Sequence, residues 1–296
     1  MSFAGLAHRL GRLRAATSSP PLVRGRDAEL ASIGVQLDRV RSGAGAVVLV
    51  EGEPGMGKTR LLAEAARLAR RLGFRVGAGA AEPGAEVVEL APLMTALFDG
   101  SQPLLERAGL PELRSAPEQR YWLLQDLQAM LERSALGGPL LISLDDLQWG
   151  DSGTAAALRA LPVRLAELPV AWILAFRPEQ GSAQLLGAIE HLEHGGAERI
   201  VVGPLDDAAV AQVAEDAVDA EPGVALLDVV KGAHGSPFVL MELLSGLRDE
   251  DLIRVVGGQA ELVEARLPRR VASTMRERLR AVSPPAREAA TVAASL

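Results

Sequence analysis

Five short apolar runs, separated by stretches with helical spacing, set the layout of the first two hundred or so residues. Residues 46–50 (AVVLV), 140–144 (LLISL) and 170–176 (VAWILAF) are apolar almost throughout rather than at alternate positions. Such runs demand burial on both faces, as in a parallel sheet covered by helices. Residues 74–80 and 199–202 are weaker versions of the same signal. Between the runs, Leu61, Leu62, Ala65, Leu68, Ala69 and Leu72 recur at helical spacing, with Gly73 placed to end the helix. Residues 117–133 put Tyr121, Leu124, Leu127, Gln128 and Leu131 on one helical face, and another helix is expected around 153–167. Residues 85–94 are ambiguous between the two templates. Strands joined through helices imply right-handed crossovers, so the predicted fold class is α/β, a mostly parallel central sheet flanked by helices.

After residue 206 the texture changes to helical patterns at 206–220, 223–231, 238–247 and 269–282. One exception is LIRVVGGQAELV (252–263), where two β-like runs flank Gly257-Gly258 and predict a hairpin. The expected organisation is a flexible arm at 1–20, a core at 21–204, a helical lid with a hairpin at 205–268, and a truncated segment at 269–296. The final residues stop inside an apolar helical pattern without a cap, as a chain that continues would.

With 48% hydrophobic residues the chain reads as globular, and its longest apolar runs are far too short to cross a bilayer. It has no cysteine, which excludes a disulfide framework and thiolate metal sites and fits a cytoplasmic protein. A net charge of −7 argues against a general nucleic-acid binder. The arginines at 266, 269, 270, 276, 278, 280 and 287 are interleaved with Glu264, Glu277 and Glu288 and read as a solvated helix face. Of 31 basic residues only Lys58 and Lys231 are lysine, so each lysine invites a chemical explanation.

Lys58 has one. Residues 52–59, GEPGMGKT, match the phosphate-binding loop pattern G-x-x-x-x-G-K-[ST], between an expected strand and an expected helix. Gly52, Gly55 and Gly57 let the backbone wrap phosphate oxygens, and the helix start presents free N–H groups to the anion. Glu53, Pro54, Met56 and Arg60 complete the loop's candidate contacts with ATP or ADP. Lys58 would reach the β- and γ-phosphates, and the Thr59 hydroxyl would ligate Mg²⁺. In LLISLDDLQWGD (140–151) a strand ends in acids: Asp145 is the second magnesium candidate and Asp146 the group to polarise an attacking water. Phe176-Arg177-Pro178 ends another strand and places Arg177 to sense the γ-phosphate. Trp149 suits packing and site lining equally. Glu190, His191, Glu193 and His194 could hold a metal, but read better as a solvated helix end.

The stretches LVRGRDAEL (22–30), GEPGMGKT, LLISLDDLQWGD, LAFRPE and GSPFVLMELL occur in that order. This ordered set resembles the STAND class of AAA-like signalling ATPases, and more narrowly the ATPase module of large ATP-binding LuxR-type transcriptional regulators. The resemblance spans roughly residues 20–296. It implies that the Gly25 backbone and Arg26 hold the adenine side of the nucleotide, although Arg24 departs from the family's plain Val-Gly-Arg. It also implies that Pro237, in Gly235-Ser236-Pro237, packs near the adenine from a lid. By the same resemblance, ADP holds a closed form, and an inducer together with ATP favours an open, self-associating one. A winged-helix-like segment would begin near residue 270. DNA would be bound only through a C-terminal domain absent from this chain. A continuously cycling remodeller and a nucleotide-stabilised scaffold are the competing readings. The aspartate at 146, where an efficient remodeller usually has glutamate, favours slow turnover.

Overall fold

The computed structural model of the protein describes residues 23–84, 88–106, 117–264, 266 and 268. The arm at 1–20, the helix expected at 269–282 and the segment 269–296 lie outside the described residues, as do residues 85–87 of the ambiguous stretch.

The apolar runs are strands β1 (Ala46–Glu51), β2 (Arg75–Ala80), β3 (Leu140–Asp145), β4 (Val170–Phe176) and β5 (Glu198–Val201). They form one five-stranded sheet in the order β2-β3-β4-β1-β5, with every neighbouring pair parallel. All seven residues of β4 are buried, as its unbroken apolar run requires.

Successive side chains point to opposite faces, so each strand feeds two cores. One face carries Leu49, Ile142, Leu144, Trp172 and Leu174. It is covered by α3 (Ala91–Phe98), α4 (Pro117–Ala135), α5 (Ser152–Arg164) and α6 (Ala183–His194). The other face carries Val48, Val50, Leu141, Ile173 and Ala175. It is covered by α1 (Asp27–Arg41) and α2 (Lys58–Arg71). Helix α1 is an element that the chain's patterning did not announce. It has no side-chain N-cap, but Ile33, Leu37 and Val40 are fully or almost fully buried against the sheet. Burying each such side chain contributes about 1.5–3 kcal/mol, which outweighs a missing cap worth about 1 kcal/mol.

Strand β2 was a weak signal for a specific reason. Helix α3 lies directly on it, and a Cβ at Gly77 or Gly79 would overlap the carbonyl oxygen of Ala96 or Pro92 respectively. The strand therefore gives up side chains where the helix backbone needs to touch it.

After β5 the chain builds a third core from α7 (Asp207–Val218), α8 (Val224–Lys231) and α9 (Pro237–Asp249). The expected hairpin is present: β7 (Ile253–Val256) and β8 (Gln259–Leu262) pair antiparallel around Gly257-Gly258. A two-residue strand, β6 (Glu221–Pro222), joins β8 in parallel and makes a small three-stranded sheet. Leu226, Val230, Leu240, Leu243, Leu244 and Leu247 fill the space beneath it. Among the described residues no helix is long and apolar enough to cross a membrane.

Candidate functional site

Parallel strands direct their carboxyl ends to one edge of the sheet, and the order β3-β4-β1 puts three of those ends side by side. The loop 52–57 leaves β1, Asp145 ends β3 with Asp146 just after it, and Arg177 follows β4. Sequence-distant residues thus converge without any long-range design beyond strand order.

The loop's shape depends on its glycines. Gly55 and Gly57 have φ of 86° and 93°, in the left-handed region where a side chain would be strained. Helix α2 starts at Lys58, and its first internal hydrogen bond runs from Leu61 N to Gly57 O at 3.0 Å. The first amides of the helix therefore have no helical carbonyl to bond, which suits an anion at that end. Gly52 is needed for close approach, since a Cβ there would lie 2.6 Å from Val202 O.

Lys58 is 6% exposed and donates to Gly52 O at 2.5 Å and Glu53 O at 3.2 Å. Burial lowers its pKa, and the positive charge of Arg177 pushes the same way; Asp146 and Asp145 oppose them. Asp145 accepts from the side chain of Thr59 and from Asp146 N, the latter at 2.8 Å. Desolvation raises its pKa, and the charge of Asp146 adds to that. The two magnesium candidates are thus hydrogen-bonded neighbours. Asp146 takes the left-handed conformation, φ 51°, and starts a 3₁₀ turn over Leu147–Trp149. Its Oδ1 accepts from Gln148 Nε2 at 2.8 Å and lies 3.4 Å from Arg177 Nη2. The Arg177 Nε–H is buried and has no partner. A buried donor beside Lys58, with no acceptor from the protein, suits the oxygen of an anionic ligand. These residues fit a magnesium nucleotide: Thr59 and Asp145 for the cation, the loop amides, Lys58 and Arg177 for the phosphates.

Arg26 is 6% exposed, and main-chain oxygens occupy it: it donates to Gly203 O at 2.5 Å and Met56 O at 3.1 Å and pairs with Glu29 at 3.0 Å. It braces the phosphate loop to the segment that leaves β5. Gly25, φ 64°, abuts Ala209 of α7 so closely that a Cβ would overlap it. Arg24, the departure from the family pattern, forms a two-pronged bond to Asp216 of the same helix, at 2.8 and 2.9 Å. Residues 24–26 therefore tie the sheet region to α7.

The start of α9 reaches the phosphate loop directly. Phe238 N donates to Gly55 O at 3.2 Å, and Pro237 Cγ lies 3.7 Å from where a Gly57 Cβ would be. Gly235, φ 69°, accepts from Leu205 N at 2.8 Å, which turns the chain into that contact. A cavity of about 550 Å³ opens beyond Thr59 and Asp145, between α2, the end of β2 and α3, and Trp149 lines it while partly exposed.

Asp151 closes the DDLQWGD stretch, and the structure gives it a task that its motif did not state. It caps α5, accepting from Thr154 N and Leu90 N at 2.9 Å each and from Thr154 Oγ1 at 2.5 Å. Asp151→Ala is expected to lower stability by about 1–2 kcal/mol, the cost of losing a cap with a buried amide left unpaired. Thermal unfolding checks this; an unchanged midpoint would refute it. Glu190, His191, Glu193 and His194 all lie on or at the end of α6, where the His194 ring pairs with Glu190 O. Among the described residues no cluster of three or more His, Cys, Asp or Glu side chains could hold a metal.

A family model for the AAA ATPase domain matches residues 22–173. The protein R02095 of Rhizobium meliloti (strain 1021), described as uncharacterized, is 27% identical over 220 residues. That match covers 63% of this chain and 21% of the relative, so the chain spans about a fifth of the curated protein it matches. Among solved structures, the Aeropyrum pernix ORC2 protein in ADPNP-ADP complexes aligns with a TM-score of 0.56 at 20% identity, over 87% of this chain and 70% of that one. The replication initiator DnaA bound to AMPPCP and single-stranded DNA aligns with a TM-score of 0.50 at 16% identity, over 77% and 65%. At these identities the likeness concerns the fold. The glycine loop, the Thr59–Asp145 pair and the family match over the same residues lead to one conclusion: the chain belongs to the AAA ATPase domain family.

Proposed function

We propose that this chain is a nucleotide-operated switch: it binds ATP or ADP with Mg²⁺, hydrolyses ATP slowly, and passes the state of its phosphate loop to a helical lid. Residues 21–204 form the core in this reading and 205–268 the lid. The observation that carries it is the hydrogen bond from Phe238 N to Gly55 O, with Pro237 beside Gly57. A lid seated on the loop itself must respond when a phosphate chain reshapes that loop.

Thr59 and Asp145 would hold the magnesium ion, which supplies positive charge against the phosphates. Lys58 and the amides of 55–60 bind the β- and γ-phosphates, and Arg177 registers the γ-phosphate through its buried Nε–H. In this reading Asp146 takes the proton from the attacking water. Its side chain is one methylene shorter than glutamate, which sets the water less well and supports slow chemistry. Gly25 and Pro237 border the adenine side, with Arg26 fixing the loop that they face. The ordered motif set supports placing the module in a LuxR-type transcriptional regulator of the cytoplasm. In that parent, ATP favours self-association, and contact with DNA belongs to a region outside this chain.

Single-turnover and steady-state hydrolysis test the switch reading, together with sedimentation in ATP and in ADP. The expected result is fewer than about one turnover per second, below the 1–10³ s⁻¹ usual for enzymes, with a larger species in ATP. Many turnovers per second, or identical sedimentation in both nucleotides, would overturn it.

A further inference from the structure

We infer that Gln148, rather than Asp146 alone, positions the water that attacks the γ-phosphate. The inference rests on the proposed ATP hydrolysis and deepens it.

Asp146 sits in the left-handed region, and the 3₁₀ turn that follows brings Gln148 back onto its carboxylate. Carboxylates accept hydrogen bonds and do not donate them, so the group that meets Asp146 Oδ1 must be the amide NH₂. This settles which way the amide points. Its other head, Oε1, is then an acceptor, and it is buried without any partner in a side chain only 5% exposed. Oε1 and Nε2 share one carbon, so a water that bonds Oε1 from the side facing Asp146 also comes within reach of that carboxylate. Arg177 closes the same corner, with Nη2 3.4 Å from Asp146 Oδ1 and a buried Nε that also has no partner. The corner thus offers two acceptors, Asp146 and Gln148 Oε1, next to cationic donors that suit a phosphate. A water held by both acceptors spends both protons on them. Its lone pair is left to face the phosphorus, which is the orientation a nucleophile needs.

In the step, the water oxygen forms a bond to the γ-phosphorus while the bond from that phosphorus to the β,γ-bridging oxygen breaks. The electron pair stays with ADP. One water proton passes to Asp146 and from there to solvent; the other remains on the inorganic phosphate. Gln148 neither gains nor loses a proton and acts as a positioning residue.

The test uses the full chain with Gln148→Met, which keeps the unbranched volume and removes the acceptor. Affinities for Mg-ATP and Mg-ADP are read with fluorescent analogues, alongside affinity for ADP–aluminium fluoride, whose planar fluoride with its bound water mimics the transition state. The expected result is ground-state affinity within about two-fold, single-turnover hydrolysis slower by about 10- to 30-fold, and a comparable loss toward ADP–aluminium fluoride. Gln148→His offers one ring nitrogen to donate and one to accept, and recovers part of the rate. Native hydrolysis and native ADP–aluminium fluoride affinity in Gln148→Met would overturn the inference while leaving the switch reading intact. An equal loss toward every ligand would also overturn it, because that marks a packing role. A native protein that binds no nucleotide or never hydrolyses it would remove the reading on which the inference rests.

Discussion

Lys58→Ala is expected to weaken Mg-ATP and Mg-ADP binding by at least about 100-fold while leaving the fold intact. The ammonium is held at the loop by Gly52 O and Glu53 O, so it is aimed before any ligand arrives. Each hydrogen bond to a charged group is worth about 1.5–3 kcal/mol net, and Lys58 would make at least one to the phosphates while still shaping the loop. A loss near 3 kcal/mol corresponds to about a 100-fold change in dissociation constant. The fold survives for the converse reason. Burial already lowers the pKa of this lysine, so the charge is a burden to the ligand-free protein. Calorimetric titration gives the affinities. Thermal unfolding gives a second reading: saturating nucleotide should raise the native midpoint and leave that of the variant almost unmoved. Native affinity in Lys58→Ala would dismantle the site, and an unfolded variant would show that the lysine serves structure first.

Much of this site could be read along the chain because its parts are local. Strands β1, β3 and β4 are buried on both faces, so their apolar runs are unbroken and their ends easy to locate. The chemistry sits at those ends, and Lys58, Asp145 and Arg177 follow once the strands are known. What stayed hidden depends on partners far away in sequence. Helix α1 owes its existence to packing through Ile33 and Leu37 and lacks a capping signal. Strand β6 has only two residues and exists through its pairing with β8. Arg26 finds its acceptors at Met56 and Gly203, and Arg24 finds Asp216, none of them neighbours in sequence. The return of Gln148 to Asp146 depends on a left-handed aspartate, a conformation that a non-glycine residue seldom takes and that no local pattern announces.

Asp145→Asn should separate stability from function at one residue. Desolvation raises the pKa of Asp145, with Asp146 adding to it, against hydrogen bonds from Thr59 and Asp146 N that lower it. The sign follows from proton linkage. Below the ordinary value near 3.8 the carboxyl is neutral in both folded and unfolded chains and costs nothing. As pH rises from there to the raised folded value, the unfolded chain ionises first and stability falls; above that value the deficit is constant. The neutral amide keeps an acceptor for Asp146 N and carries no such deficit. The ligand-free variant should therefore melt higher at neutral pH, and the gap should close as pH falls below about 4. Binding should move the other way. Magnesium-dependent nucleotide affinity should drop by about 100-fold, since a carboxylate ligand is lost, while affinity measured in a chelator stays within a few-fold. Paired melting curves with and without Mg-ADP, at neutral and acid pH, give both readings from one preparation. Equal losses with and without magnesium would remove Asp145 from the metal's coordination. A variant that melts lower than the native protein at neutral pH would mean that the hydrogen bonds from Thr59 and Asp146 outweigh the cost of burying the charge.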